Sequence, residues 1–157
     1  MRKSLGEPEG LVHRMALRVR WAECDAAGIV YHPRVLDWFS EARVAWLEAA
    51  GASYYNDVRA EHVELLVLDL AVQFVRALRP GDAVQVDVWA DELTAARMRF
   101  CYRVEHQGRV AVEGFTRHAF VRDGRAVNLS RAAPALFARL ERTAAPALGR
   151  RPSASGV

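Results

Sequence analysis

Cysteine is scarce in this chain: two residues among 157, Cys24 and Cys101, with no CxxC spacing. That excludes a disulfide-stapled scaffold and reads as two reduced thiols in a cytoplasmic protein. Long apolar runs are missing too. No stretch approaches the roughly 18 residues of a membrane-spanning helix, and the most apolar segment, 65–75, is interrupted by Asp69 and Gln73. The opening MRKSLGEPEG has two basic residues with no apolar stretch behind them, so a secretory signal is not expected there. No P-loop, GxGxxG or GxSxG is present, which removes the motifs of nucleotide-binding and serine-hydrolase readings. No basic run is interleaved with aromatics, so nucleic acid is not an expected partner. The positive excess is small, a formal +3. It fits ordinary solvated charge, and it also fits attraction to a polyphosphate ligand.

What is present is a chain made to fold. Hydrophobic residues are 52% and charged residues 26% of the total, the balance of a packed globule rather than a disordered segment. The length suits one domain with a core that needs no metal or crosslink. We expect that domain over 13–140, a loose polar arm over 1–12, and a disordered tail rich in Ala, Pro, Ser and Gly over 143–157.

The clearest helix is 34–50. Pro33 suits a first turn, where its missing N–H would be unpaired anyway, and Gly51 suits the stop. Leu36, Phe39, Trp46 and Ala50 recur at helical spacing, with Trp38, Ala42, Ala45 and Ala49 as a second stripe. Only a narrow wet side remains, so other structure should enclose this helix. Segments 13–21, 66–75, 84–89, 97–104 and 110–121 alternate with period two and read as strands. Turns at 79–82, 106–109 and 123–124 suggest an antiparallel meander. A short segment 125–128 follows, and Ser130 is placed to cap a last helix ending near Leu140. One long apolar helix and about five strands imply an α+β architecture, a curved sheet wrapped around the helix. Val67, Ala71, Val75, Trp89 and Phe115 are expected on the outer face of that sheet, which suggests oligomerisation.

The unusual segment is Cys24-Asp25-Ala26-Ala27-Gly28-Ile29-Val30-Tyr31-His32-Pro33. It puts a carboxylate in a loop of small residues just before a buried helix. The helix start offers free N–H groups and the positive end of a macrodipole, which can hold an oxyanion. A carboxylate beside such a site can attack an activated carbonyl or activate water. The plainer readings stay open: Asp25 as a turn former, His32 as a core or cap-adjacent histidine, Tyr31 as packing. Asp25 and His32 lack a third ligand at metal spacing, so no metal is expected. Cys24 is a poor nucleophile, because the adjacent carboxylate raises a thiol's pKa.

The run from Arg20 through Pro33, followed by Trp38-Phe39 and Glu41-Ala42-Arg43, resembles the 4-hydroxybenzoyl-CoA thioesterase family, whose pattern the Tol-Pal-associated acyl-CoA thioesterases share. Val72-Gln73-Phe74 and Leu78-Arg79-Pro80-Gly81-Asp82 resemble that family's later strand and turn. The resemblance covers about 13–140. It implies a hotdog fold without a cofactor and a homodimer or homotetramer with sites between subunits. The implied activity is hydrolysis of acyl-CoA. Asp25 would be nucleophile or general base, the His32 backbone amide would polarise the carbonyl, and Tyr31 and the His32 side chain would flank the acyl group. Gly28, Ile29 and Val30 would line the site, with Arg79 and Pro80 toward CoA. His32 stands where the hydroxybenzoyl enzymes often carry an aromatic residue, which leans toward the acyl-CoA branch. A non-catalytic acyl-CoA binding module is the main alternative. An acyl carrier protein in place of CoA is another, with Arg97, Arg99 and Arg103 as a basic face for it.

Overall fold

The computed structural model describes residues 5–144. The tail expected over 143–157 lies outside the described residues from 145 onward, as do the first four residues of the arm. In chain order the elements are β1 (His13–Arg18), α1 (Arg34–Ala49), β2 (Glu64–Phe74), β3 (Ala83–Leu93), β4 (Arg97–His106), β5 (Arg109–Arg122), β6 (Arg125–Ala126), α2 (Leu129–Ala132) and α3 (Pro134–Thr143). The sheet is antiparallel in the order β1-β3-β4-β5-β2, with β6 added to β5. The architecture is α+β, with α1 packed on one face of the sheet.

Helix α1 seats itself through aromatic contacts. Phe39 stacks on Tyr102 of β4 at 4.1 Å between centroids, and Trp46 meets Phe100 edge-on at 5.4 Å. Val35, Trp38, Phe39, Ala42, Trp46 and Leu47 are its buried face. The enclosure is narrower than the stripes suggest, since Leu36 and Ala45 are half-buried and Ala49 is exposed. A single helix on a single sheet buries one side only. Beneath it runs a polar chain. The Tyr102 hydroxyl lies 2.8 Å from Thr116 Oγ1, which lies 2.9 Å from His118 Nε2, and Arg43 Nη1 donates to Tyr102 Oη at 3.4 Å.

Several expectations change. β1 ends at Arg18 rather than residue 21, and a 3₁₀ turn Trp21–Glu23 leaves Trp21 83% exposed. The meander holds for β3-β4-β5 but not for β2, which pairs with β5 at the far edge. The 79–82 turn forms, yet it ends a crossover that carries the chain from the β2 edge of the sheet to β3, beside the opposite edge strand β1. There Gly81 N donates to Val19 O and Val19 N to Asp82 O, both at 2.9 Å. Segment 54–61, which has no clear periodicity, winds as a π turn and a 3₁₀ turn. The last helix is two pieces, because Pro134 lacks the amide to continue α2 and instead opens α3. Asn128 rather than Ser130 is the cap: its side chain accepts from Arg131 N, while Ser130 Oγ donates to it.

The outer face also differs. A bulge between Val67 and Asp69 flips the alternation of β2. Val67 therefore lies opposite His118 on the helix side, and Leu66 and Leu70 point to opposite faces. Trp89 is buried, with the Arg103 guanidinium 5.7 Å from its ring, and Arg99 covers Phe115 at 5.5 Å. Arg99 in turn pairs with Asp91, and Arg103 with Glu113, so Arg97 is the member of that trio without an ion pair among the described residues. Exposed large apolar side chains concentrate instead on β2 and just beyond it: Leu66, Val67, Leu68, Leu70, Phe74 and Val75.

Two stability predictions follow from these contacts. A Cβ at Gly114 would sit 2.6 Å from Ala71 O and 2.9 Å from Phe39 Cε2. Gly114→Ala should therefore cost about 1–3 kcal/mol, read as a lower urea midpoint at unchanged slope. Burial, reinforced by the charge of Arg43, lowers His118 to about 4, against a weak opposing pull from the Leu65 backbone. Between the unfolded value of about 6.5 and the folded value the unfolded chain holds a proton the folded one refuses, so stability falls as pH falls through that window, by roughly 3 kcal/mol in all. Denaturation of wild type and His118→Gln from pH 7 to 4 checks this, with the variant expected to show a shallower slope.

Candidate active site

The loop between β1 and α1 is a small hairpin. Cys24 and Val30 form an antiparallel bridge, Asp25 N donates to Ile29 O at 3.0 Å, and Gly28 N donates to Asp25 O at 2.9 Å. Gly28 has φ +72°, a left-handed conformation that costs a side-chain-bearing residue about 1 kcal/mol or more. Ala27 N donates to Asp25 Oδ1 at 2.8 Å. Asp25 is thus a turn former, one of the two readings left open above. Its Oδ2 has no hydrogen-bond partner among the described residues, so the turn does not exhaust the carboxylate.

The returning arm leads into the helix. Val30 N donates to Leu78 O at 2.9 Å and Tyr31 N to Glu23 O at 2.8 Å. The amides of Arg34, Val35 and Leu36 donate to the carbonyls of Tyr31, His32 and Pro33. The helix start is therefore less open than expected, because a tight first turn uses its own N–H groups. Pro33 has none to give. The His32 N–H, just ahead of the helix, is left without a partner among the described residues.

A cleft of about 270 Å³ opens beside this loop. Asp25, Ile29, Val30, His32 and Val35 form one wall. The other consists of Phe74, Val75, Arg76, Ala77, Leu78 and Val112, where β2 leaves the sheet and the crossover begins. The lining is mostly apolar, with Asp25, His32 and Arg76 as its polar exceptions. Its size is near the lower end of small-ligand pockets, which run to about 300–1,000 Å³.

The other candidate residues surround the cleft without lining it. Gly28 shapes the turn. Tyr31 is 47% exposed and meets the His32 ring edge-on at 4.9 Å. Arg79 is exposed, its backbone N donating to Asp82 Oδ2 at 2.8 Å, and Pro80 sits next to it in the turn. The crossover wall carries no local sign of a site in the sequence. Arg76 in particular reads as ordinary surface charge, yet its guanidinium has no ion pair among the described residues. Of the two free thiols, Cys24 is pushed up by burial and by the charges of Glu23, Asp25 and Asp82, which disfavours thiolate chemistry. Cys101 is buried under the outer face and raised further.

The Thioesterase-like superfamily model matches residues 19–145, and the chain belongs to that family. The acyl-CoA thioesterase YbgC of Haemophilus influenzae is 27% identical over 88 residues, 56% of this chain and 65% of that protein. Among solved structures, hypothetical protein TT1821 from Thermus thermophilus superposes with a TM-score of 0.78 at 31% identity, covering 87% of this chain and all of that one. The DHNA-CoA thioesterase of Staphylococcus aureus superposes at 0.79 with 22% identity, over 83% of this chain and 89% of its own. The fold is the hotdog: a curled antiparallel sheet around one long helix.

Proposed function

We propose that this protein hydrolyses acyl-CoA thioesters to the free acid and CoA, with Asp25 as the reacting carboxylate. The observation that carries the reading is the cleft wall itself, which brings together Asp25 and His32, the one with a carboxylate oxygen and the other with a backbone N–H that have no hydrogen-bond partner among the described residues. Attack on a thioester carbonyl puts negative charge on its oxygen. A fixed N–H aimed at that oxygen is worth about 3 kcal/mol in such sites. Asp25 either adds to the carbonyl, giving an anhydride that water then cleaves, or takes a proton from the attacking water. In both routes the C–S bond breaks and the CoA sulfur leaves to be protonated. The Tyr31 and His32 side chains flank the acyl group, and Gly28, Ile29 and Val30 keep the loop close to it.

The cleft admits the acyl end of the substrate and leaves the nucleotide of CoA outside. Arg79 and Pro80, joined by Arg76, lie on the side where its phosphates would pass. The apolar side chains bared on β2 favour a second copy against that strand, giving a homodimer or a pair of dimers. The unpaired thiols fit a reducing compartment such as the cytoplasm. An acyl carrier protein would present the same thioester, but the ion pairs of Arg99 and Arg103 weaken the basic face it would need.

Thiol release from short, long and aryl acyl-CoA substrates tests the activity. Asp25→Asn should lower turnover by about 10³-fold or more, within the range seen for catalytic groups, with melting temperature unchanged. Wild-type rates in that variant would remove Asp25 from the mechanism, and no thiol release by either protein would favour a binding module. Arg76→Ala and Arg79→Ala should raise KM for acyl-CoA while leaving KM for the matching N-acetylcysteamine thioester, which has no phosphates, unchanged.

A further inference from the structure

The outgoing arm, the returning arm of the Asp25 loop and the second turn of α1 converge on one residue outside the cleft, the last two through its backbone carbonyl and its side chain respectively. Glu23 is only 5% exposed. Its Oε2 accepts from Arg20 N at 2.8 Å, and its Oε1 accepts from Arg20 Nη2 and from Trp38 Nε1, both at 3.0 Å. Trp38 is itself 4% exposed on the core face of the helix. The Glu23 backbone carbonyl accepts the Tyr31 amide at 2.8 Å. One residue thus begins the outgoing arm, ties down the returning arm and fastens both to the helix. A shift of Glu23 would therefore be passed to both arms of the loop that carries Asp25 and leads to His32.

The charge state supports this role. Burial alone would push the Glu23 carboxyl up, but the Arg20 amide, the Trp38 indole and the Arg20 guanidinium together hold it below the usual carboxylate value. A buried carboxylate kept ionised is an expensive way to fill space, since an apolar side chain of like size often packs there as well or better. What an apolar side chain cannot do is accept from two separate segments at once.

We propose that Glu23 is a positioning residue, holding the Asp25 carboxylate and the His32 amide in register on the cleft wall. The proposal rests on the catalytic reading of Asp25. Displacement of a reacting group by about 1 Å can cost about 100-fold in rate. Glu23→Gln keeps the shape and loses the charge, and Trp38→Phe removes the indole donor together with part of the buried ring.

The test is a double-mutant cycle in kcat and KM over wild type, Glu23→Gln, Asp25→Asn and the double variant. Glu23→Gln should lower kcat by about 10- to 100-fold with KM nearly unchanged. In the Asp25→Asn background it should cost nothing more, to within about twofold. An equal loss in both backgrounds would mean a merely structural role and would overturn the proposal. If Glu23→Gln melts below the assay temperature, Trp38→Phe is read in the same cycle. Amide hydrogen exchange separates the proposal from the reading it rests on. If Asp25→Asn proves fully active, the catalytic assignment fails. Faster exchange at Tyr31 in Glu23→Gln still supports the clamp, and unchanged exchange there overturns it.

Discussion

The contact that everything else depends on is the seating of α1 against the sheet by Phe39 on Tyr102 and Trp46 on Phe100. Aromatic pairs of this kind add about 0.5–1.5 kcal/mol beyond the area they bury, and they fix the helix along and across the strands. Gly114 permits the fit, since any side chain there would strike Phe39 and the neighbouring strand at once. Once the helix is placed, its N-terminal end is placed, and with it the hairpin that carries Asp25. The cleft is the gap left where one helix can no longer cover the sheet.

The facing wall of that gap comes from topology. The chain leaves β2 at one edge and must reach β3, next to the opposite edge strand β1. On the way it passes the Asp25 hairpin closely enough for Val30 N to bond Leu78 O. A loop from the first third of the chain and a crossover from its middle thus become two sides of one space. Neither would form a pocket alone.

Much of this was legible from residue order, and the rest was not for definite reasons. Local signals carried the helix: Pro33 before it, Gly51 after it and aromatics at helical spacing gave bounds within a residue of those observed. The small-residue loop around Gly28 was legible because the left-handed turn is written in one residue. Three things depend on partners distant in sequence and left no local trace. The pairing of β2 with β5 replaced the expected hairpin. Phe74 through Leu78 became a cleft wall only through that pairing. Glu23 and Trp38, fifteen residues apart, meet only once the helix has docked. The outer face misled because apolar residues there can be covered by the stems and guanidinium planes of arginines such as Arg99 and Arg103, which count as polar when a sequence is read.

The irregularity at Leu68 has one more effect. Because the strand gains a residue there, its first stretch and its second obey opposite rules for which positions look toward the helix. A leucine at 66 and a leucine at 70, though both even-numbered, are answerable to different environments. When this strand is set beside a relative that lacks the extra residue, matching by inside and outside must restart at 68, or every substitution beyond it will be judged against the wrong neighbours.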